Sequence, residues 1–344
     1  MNFEVHEKRA ELLDPFAAMA PRSIPVEVRR DPLTGRSARI CHFRPLAFDL
    51  PDAAALAEQT RAECPFCPER VLTHTPCFPP AFIAEGRMRR GEQWLFPNLA
   101  PYDALGAVAT MGPEHHFPPG AVPAGRIADG LALAGEFYER ALRRGHPEAV
   151  YFLLSWNFLP ASGSSLIHPH LQVFCSSTAP NRLREELAAS EAWWRRTGGV
   201  YWEELVAEEA GRGSRFLGRI GGVAWLAAFA PAGVAGDVLG VVEGRTTMLD
   251  LDEAARRDIA AGLAAAIAGY AEMGIGSFNV CFFPGRGGEK HFRLHLVFSP
   301  RIYYNPRLAT PDATALRWLY EESICVGYPE EIAGRLRPRF AAAA

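Results

Sequence analysis

The chain has 344 residues, about twice the usual 150 or so of one domain, which predicts two domains or one duplicated fold. Its 49% hydrophobic and 22% charged residues are typical of a globular protein and exclude collagen, coiled coils and general disorder. The formal net charge of -3 gives no bulk attraction to nucleic acid or to an anionic membrane, so neither is expected as a partner.

The N-terminus is charged and lacks the apolar segment of a signal peptide, and no run of about 18 apolar residues occurs anywhere. We therefore expect a cytoplasmic protein. There are seven cysteines, an odd number, and Cys64 and Cys67 form a C-x-x-C pair. Without a secretion signal, this spacing favours a metal or redox role over a disulfide framework.

The first part of the chain predicts a loosely ordered arm over residues 1–25, followed by a mixed set of strands and helices. A hairpin with a turn at residues 31–35 covers residues 26–39, and a strand covers 93–98. A long helix follows over 127–144, and strands over 149–157 and 168–176 bracket a Gly/Ser turn.

A charged helix over residues 182–209 and a Gly-rich joint over 211–222 precede a second series. It contains strands over residues 223–230 and 238–242, a long helix over 252–273, and two more strands over 277–283 and 292–299. The order strand, long helix, strand, Gly-rich turn, strand with His thus occurs twice. We predict an α+β fold of two tandem halves, residues 26–210 and 211–344, each an antiparallel sheet with a packed helix.

The most informative segment is H-P-H-L-Q at residues 168–172. Side chains two apart on a strand point to one face, so His168, His170 and Gln172 are predicted to lie in a row. One histidine in a strand is usually structural, but three aligned polar side chains among Leu, Val and Phe are harder to explain that way. A central imidazole between a histidine and an amide suits a nucleophile whose neighbours bind a metal and a phosphoryl oxygen.

This segment resembles the H-P-H-x-Q signature of the galactose-1-phosphate uridylyltransferase family, a branch of the histidine-triad superfamily. Similar segments follow the family order elsewhere in the chain: V-R-R-D-P-L-T-G-R at residues 28–36, F-R-P at 43–45, C-P-F-C at 64–67, P-E-H at 113–115 and P-E-E-I-A-G-R-L-R at 329–337. The resemblance covers roughly residues 25–340. It implies two histidine-triad-like halves in one chain, in agreement with the internal duplication.

The resemblance implies that His170 attacks the α-phosphorus of a nucleotide sugar and forms a nucleotidyl-histidine. Gln172 would bind a non-bridging oxygen of that phosphoryl group, and Ser164 or Ser165 the neighbouring phosphate. The further substrate-binding residues it implies are Arg44, Asn98, Asn157 and Tyr328.

The resemblance also implies a metal site built from Cys64, Cys67, His115 and His168. Two sulfur and two nitrogen ligands suit one tetrahedral, structural zinc ion. His116 competes with His115 for the third position, and a reduced, metal-free thiol pair is the alternative.

The sequence departs from the family at its second metal site. Arg182 stands where the family has a Glu, and the later His-x-His reads His295-Leu-Val297. We therefore expect no second metal. Ser323 also replaces a Lys of the hexose-binding segment in some members, so the acceptor is left open.

The leading hypothesis is a ping-pong transfer of UMP between a UDP-sugar and a sugar 1-phosphate through His170. The alternative is an adenylyltransferase or phosphorylase that cleaves an ADP-sugar or a dinucleoside polyphosphate with phosphate. A non-catalytic nucleotide-binding paralogue is a third, less favoured reading. The resemblance further implies a homodimer.

Overall fold

The computed structural model describes residues 1–41, 48 and 52–344. In that part of the chain the strands are β1 Glu4–Asp14, β2 Ala20–Arg30, β3 Ser37–Cys41, β4 Met88–Arg90, β5 Gln93–Pro97, β6 Leu105–Thr110, β7 Tyr151–Phe158, β8 His170–Ser176, β9 Phe216–Ile220, β10 Val223–Ala227, β11 Val238–Val242, β12 Ser277–Phe283, β13 His295–Arg301, β14 Tyr303–Asn305, β15 Thr310–Pro311 and β16 Ser323–Cys325. The helices are α1 Ala53–Arg61, α2 Val71–His74, α3 Ala124–Arg143, α4 Asn181–Thr197, α5 Tyr201–Arg212, α6 Glu253–Glu272, α7 Ala315–Trp318 and α8 Pro329–Ala343. None of these helices is both long and apolar enough to cross a membrane.

The main sheet has ten strands in the order β4-β5-β6-β8-β7-β12-β13-β11-β10-β9, with antiparallel pairing throughout. Read from either edge to the centre, five strands follow the same chain order, and α3 and α6 occupy corresponding places before β7 and β12. The predicted α+β fold of two like halves is therefore confirmed. The halves share one sheet because β7 and β12 pair, with Asn157 opposite Asn279.

The two faces of this sheet have different chemistry. On β7, Leu154 and Trp156 point into the main core, which also contains Leu131 of α3 and Ile259 of α6. Because side chains alternate along a strand, Asn157 points to the opposite face. The apolar residues thus fix one face against α3 and α6. On the opposite face a smaller apolar cluster contains Leu153 of β7 and Trp202 of α5, and polar groups occupy the part around Asn157.

Helix α6 packs very closely on the sheet of the second half. Asp252 caps the helix by accepting a hydrogen bond from Ala255 N at 2.8 Å. A Cβ atom at Gly262 would lie 2.1 Å from the ring of Trp225, so only glycine allows this approach. Trp225 is consequently buried between strand and helix.

The N-terminal arm differs from the prediction. β1 and β2 pair along their whole length, from Glu4 opposite Arg30 to Asp14 opposite Ala20, where the sequence predicts loose structure up to residue 25. Nearly every side chain of β1 is exposed, so the strand carries no apolar alternation that sequence analysis could detect. The predicted turn at residues 31–35 is present, with Gly35 N bonded to Asp31 O at 2.9 Å.

Three further boundaries also differ. The predicted helix over residues 182–209 is two helices, because Gly198 adopts a φ of 76° and ends α4. The predicted Gly-rich joint contains β9. β8 begins at His170, so His168 precedes the strand by two residues and does not belong to it.

Candidate active site and metal cluster

The candidate active site lies on the sheet face opposite the long helices. His170 and Gln172 of β8 both point to this face. In the β7–β8 register Ser155 lies opposite Gln172. Two residues further along, Asn157 is therefore the cross-strand neighbour of His170. His170 and Gln172 therefore form the predicted polar row together with Asn157 of the next strand, whereas His168 lies before the strand and joins the metal cluster.

His170 has one defined tautomer. Its Nδ1 lies 2.8 Å from the backbone oxygen of His168, and a carbonyl oxygen can only accept, so Nδ1 carries the proton. Among the described residues no group hydrogen-bonds to Nε2. Burial lowers the pKa of His170 below its ordinary value, while the bond to the His168 carbonyl raises it in part. A neutral imidazole with a free Nε2 lone pair is the form that acts as a nucleophile.

The orientation of Gln172 is also fixed by hydrogen bonds. Asn98 accepts from Ala100 N through Oδ1 at 3.0 Å, so its Nδ2 is the donor to Gln172 Oε1, also at 3.0 Å. Gln172 must then present its Nε2 donors to the site. Such donors suit the non-bridging oxygen of a phosphoryl group.

The Gly/Ser loop precedes His170 in the chain. Ser164 Oγ donates to Leu166 O at 2.7 Å, and Ser165 is exposed. Gly163 has a φ of 84°, a conformation that glycine adopts without strain. In the described part of the chain, neither hydroxyl is hydrogen-bonded to His170.

Of the other two predicted substrate residues, one falls outside the described residues and one lies away from His170. Arg44 falls outside the described residues. Tyr328 precedes α8, and the guanidinium of Arg29 lies 5.9 Å from the centre of its ring. Tyr328 packs against the main core and is not part of the His170 row.

Cys64, Cys67, His115 and His168 converge in one buried cluster, with their ligand atoms all within 4.8 Å of one another. Cys67 Sγ lies 3.4 Å from His115 Nδ1 and 3.7 Å from His168 Nδ1. Bond lengths of about 2.3 Å to sulfur and 2.0–2.1 Å to nitrogen, at tetrahedral angles, place S and N about 3.6 Å apart. The cluster therefore fits one metal ion of that geometry.

Both histidines of the cluster direct a lone pair at the metal position. Thr60 Oγ donates to Leu56 O at 2.9 Å, so it accepts from His115 Nε2 at 3.1 Å. His168 Nε2 likewise lies 3.0 Å from Gly112 O, which only accepts. Each Nδ1 is consequently unprotonated, and these outer contacts fix each ring as in known zinc sites.

His115 and not His116 joins the cluster. His116 Nε2 is buried and has no hydrogen bond among the described residues. Burial lowers the pKa of His168 to about 4, which keeps it a neutral ligand. Burial and the neighbouring thiol raise the pKa of Cys67 to about 12, so metal binding at neutral pH would release its proton.

The cluster is directly connected to His170. His168 contributes its ring to the cluster and its carbonyl to His170. Phe66, between the two cysteines, packs edge-on against both rings, with centroid distances of 6.1 Å to His168 and 5.2 Å to His170. Ordering of the cluster therefore orders His170.

The second half contains a corresponding histidine, His295, whose ring nitrogens are both hydrogen-bonded. His295 is the first residue of β13, and its Nδ1 lies 3.1 Å from the carbonyl of Arg293. Its Nε2 is 3.1 Å from Glu186, whose other oxygen accepts from Arg182 at 2.8 Å. Among the described residues, only the Cys/His cluster brings three or more potential metal ligands together.

Sequence analysis missed Glu186 and Asn279. Glu186 lies one helical turn after Arg182, on the same face, and this spacing could have identified it as a partner. Asn279 is a polar residue at an alternate position of an apolar strand, the same signal that identified His170.

No protein-family model matches the sequence. An uncharacterized protein of Archaeoglobus fulgidus is 32% identical over 316 residues, which cover 91% of this chain and 92% of that protein. A uridylyltransferase structure has a TM-score of 0.65 at 20% identity, covering 92% of this chain and 98% of its own. An ADP-glucose phosphorylase from Arabidopsis thaliana, with bound ADP-glucose, has a TM-score of 0.68 at 16% identity, covering 91% and 98%.

At 16–20% identity these structures show a shared fold, whereas 32% identity over nearly the whole chain shows a family. The shared fold agrees with the order of the sequence segments from the hairpin to α8. The chain therefore belongs to one family with the Archaeoglobus fulgidus protein, and its fold is that of the galactose-1-phosphate uridylyltransferase family, as the sequence resemblance indicated.

Proposed function

We propose that the protein is a nucleotidyltransferase that works through a covalent nucleotidyl-His170. The observation that carries this proposal is the tautomer of His170. Its proton is held on Nδ1 by the His168 carbonyl, and its Nε2 lone pair has no partner among the described residues. A structural histidine would be expected to satisfy both nitrogens, as His295 does.

The reaction has two balanced steps. His170 Nε2 attacks the α-phosphorus of the donor, the N–P bond forms, and the P–O bond to the leaving phosphate breaks with its electron pair on oxygen. A phosphate oxygen of the acceptor then attacks the same phosphorus and releases the imidazole. The Nδ1 proton stays in its bond to the His168 carbonyl, where it stabilises the positive charge that develops on the ring.

The neighbouring groups supply hydrogen-bond donors and order. Gln172 Nε2 and Asn157 bind phosphoryl oxygens. The exposed Ser165 hydroxyl binds the adjacent phosphate, because the Ser164 hydroxyl proton is already donated to Leu166 O. Zinc, held by the Cys/His cluster, would act as a structural cross-link. Its role is to fix His168 and so the direction of the His170 ring.

The preferred reaction is the exchange of UMP between a UDP-sugar and a hexose 1-phosphate, with Arg44, Asn98 and Tyr328 as further substrate contacts in a homodimer. The fold shared with a uridylyltransferase supports it. An adenylyl transfer from ADP-glucose to phosphate is the second candidate, supported by the equally close fold of the ADP-glucose phosphorylase.

Intact-protein mass spectrometry separates these candidates. The protein is incubated with UDP-glucose or ADP-glucose without acceptor, and then treated with galactose 1-phosphate or inorganic phosphate. We expect a gain of one nucleoside monophosphate from one donor, removed by one acceptor. The absence of any adduct with both donors, with the nucleotide nevertheless bound in calorimetry, would favour a non-catalytic nucleotide-binding protein.

A further inference from the structure

A chain of hydrogen bonds crosses the sheet from the second half to the side of His170. Asp312 is fully buried and accepts from Arg301 Nε through both carboxylate oxygens, at 2.8 and 3.0 Å. Arg301 Nη1 donates to Asn279 Oδ1 at 2.6 Å. Asn279 Nδ2 in turn donates to Asn157 Oδ1 at 2.6 Å and to Ser162 O at 3.0 Å. We call these four side chains, Asp312, Arg301, Asn279 and Asn157, the amide relay.

The direction of every bond in the amide relay is determined by its ends. A guanidinium has only donors, so Asn279 must turn its oxygen to Arg301. The backbone oxygen of Ser162 only accepts, so the nitrogen of Asn279 must face the other way. Both requirements give the same orientation. Asn157 then accepts through Oδ1, and its Nδ2 forms no hydrogen bond within the described residues.

We propose that the amide relay fixes Asn157 as a hydrogen-bond donor toward the phosphate groups of the substrate, with Asn279 and Arg301 as positioning residues. Asn157 is the cross-strand neighbour of His170, so its Nδ2 lies where a phosphoryl oxygen must arrive. The inference rests on the proposed function in one respect, that the ligand beside His170 is a phosphate. Gln172 is oriented by Asn98 in the same manner, so a fixed amide donor lies on each side of the nucleophile.

The amide relay starts from a buried carboxylate, Asp312, which two arginines of the second half hold in place. Arg317 Nη1 lies 3.6 Å from Asp312 Oδ2, and the side chains of Arg301 and Arg317 are only 12% and 20% exposed. A buried carboxylate held by two guanidinium groups is a rigid anchor. Because the anchor belongs to the second half, the relay makes the second half set the geometry of the first-half site.

The substitution Asn279→Asp tests the relay with almost no change in shape. A carboxylate can only accept, so Asn157 would have to turn its Nδ2 to residue 279 and present its oxygen to the substrate. We expect the rate of nucleotidyl-His170 formation to fall about 100-fold, as for the loss of one fixed donor to a reacting oxyanion. The control Asn181→Asp, at an exposed helix start where aspartate also accepts, is expected to retain the wild-type rate.

A second measurement does not depend on catalysis. In ¹⁵N-asparagine-labelled wild-type protein, both Nδ2 protons of Asn279 are bonded, whereas those of Asn157 are free. Hydrogen exchange by NMR is therefore expected to be at least about tenfold slower for the Asn279 carboxamide, because bonded protons exchange only when the structure opens. The signals are assigned in the wild type itself, from nuclear Overhauser contacts between each carboxamide and the side chains beside it in the structure.

The outcomes separate the two proposals. If the wild type forms the adduct and Asn279→Asp forms it at the same rate, the relay is wrong and the nucleotidyltransferase stands. If the wild type forms no adduct, the proposed function fails, and the exchange measurement still decides the relay. Faster exchange at Asn279 than at Asn157 would overturn the relay in every case, including one in which Asn279→Asp does not fold.

Discussion

His170 and His295 occupy corresponding places in the two halves and differ in the hydrogen bonding of one ring nitrogen, Nε2. Each is the first residue of the corresponding strand, β8 or β13, and each directs Nδ1 to the backbone oxygen two residues earlier, at 2.8 Å in the first half and 3.1 Å in the second. His170 Nε2 has no partner within the described residues. His295 Nε2 is bonded to Glu186.

The ring of His295 is also enclosed by aromatic side chains. Trp202 stacks on His295 with a centroid distance of 3.8 Å, and Phe283 lies parallel on it at 5.0 Å. Burial opposes ionisation of Glu186, but Arg182 and His295 outweigh it and lower its pKa. The corresponding strands thus begin with a ring whose Nε2 is unpaired among the described residues in the first half, and with a ring hydrogen-bonded to a buried carboxylate in the second. The two rings therefore differ in whether Nε2 is available to a ligand.

We expect the greatest loss of activity from replacing His170 of the first half. His170→Asn removes the nucleophile, and we expect the steady-state rate to fall by at least about 1,000-fold, since residual activity without a nucleophile comes from binding alone. The measurement is initial velocity with the donor and acceptor identified by mass spectrometry. His74→Asn, on the exposed end of α2, is the matched control and should retain full activity. Full turnover by His170→Asn would refute the covalent mechanism.

The second effect tests the metal cluster and its contribution to stability. Cys67→Ser removes a ligand, and we expect the loss of one bound zinc per chain and a melting temperature lower by about 10 °C or more, because metal binding contributes directly to folding. Metal content is measured by plasma mass spectrometry, and unfolding by calorimetry. Cys77→Ser, at an exposed cysteine outside the cluster, should change neither. Equal metal content in the two variants would rule out the cluster.

The third effect concerns the buried carboxylate of Glu186, which lies in α4 and contacts His295 of the second half. Glu186→Gln removes a buried charge between Arg182 and His295, and we expect unfolding free energy to fall by about 2–4 kcal/mol, since breaking a buried pair leaves its partners uncompensated. Denaturant unfolding measures this loss. Glu191→Gln breaks an exposed pair with Arg195 and should cost under about 1 kcal/mol. If Glu186→Gln abolished adduct formation in a folded protein, the assignment of the Glu186–His295 contact as structural would be incorrect.

The smallest effect is on the pH profile. Burial lowers the pKa of His170 below the ordinary histidine value of about 6.5, so the ring loses its proton at a lower pH than a free histidine. The neutral, nucleophilic form therefore predominates at pH 6.5. Adduct formation in single-turnover experiments should still proceed at more than half its plateau rate there and decline only in more acidic buffer. A half-maximal point above pH 6.5 would contradict this.

Local patterns were sufficient to predict much of the site. Strand alternation placed His170 and Gln172 on one face, and both residues lie there. The C-x-x-C spacing brought Cys64 and Cys67 together. These signals depend on residues close in sequence, whose relative positions are set by strand geometry or by a short loop.

Contacts between distant segments could not be predicted. Asp312 and Arg301 hold Asn279, which reaches Asn157 across the junction of the halves, 122 residues away in sequence. The choice of His115 over His116 likewise depends on Thr60, which only the folded chain brings near. Strand β1 escaped prediction because its exposed side chains carry no periodic apolar signal.

The central claim is that one histidine of the duplicated pair carries the nucleotide. The direct measurement is tandem mass spectrometry of the protein digested at alkaline pH after brief incubation with UDP-glucose or ADP-glucose. We predict a single acid-labile nucleoside monophosphate per chain, on the peptide that contains His170, and an unmodified His295 peptide. A nucleotide on His295, or on any residue other than His170, would contradict it.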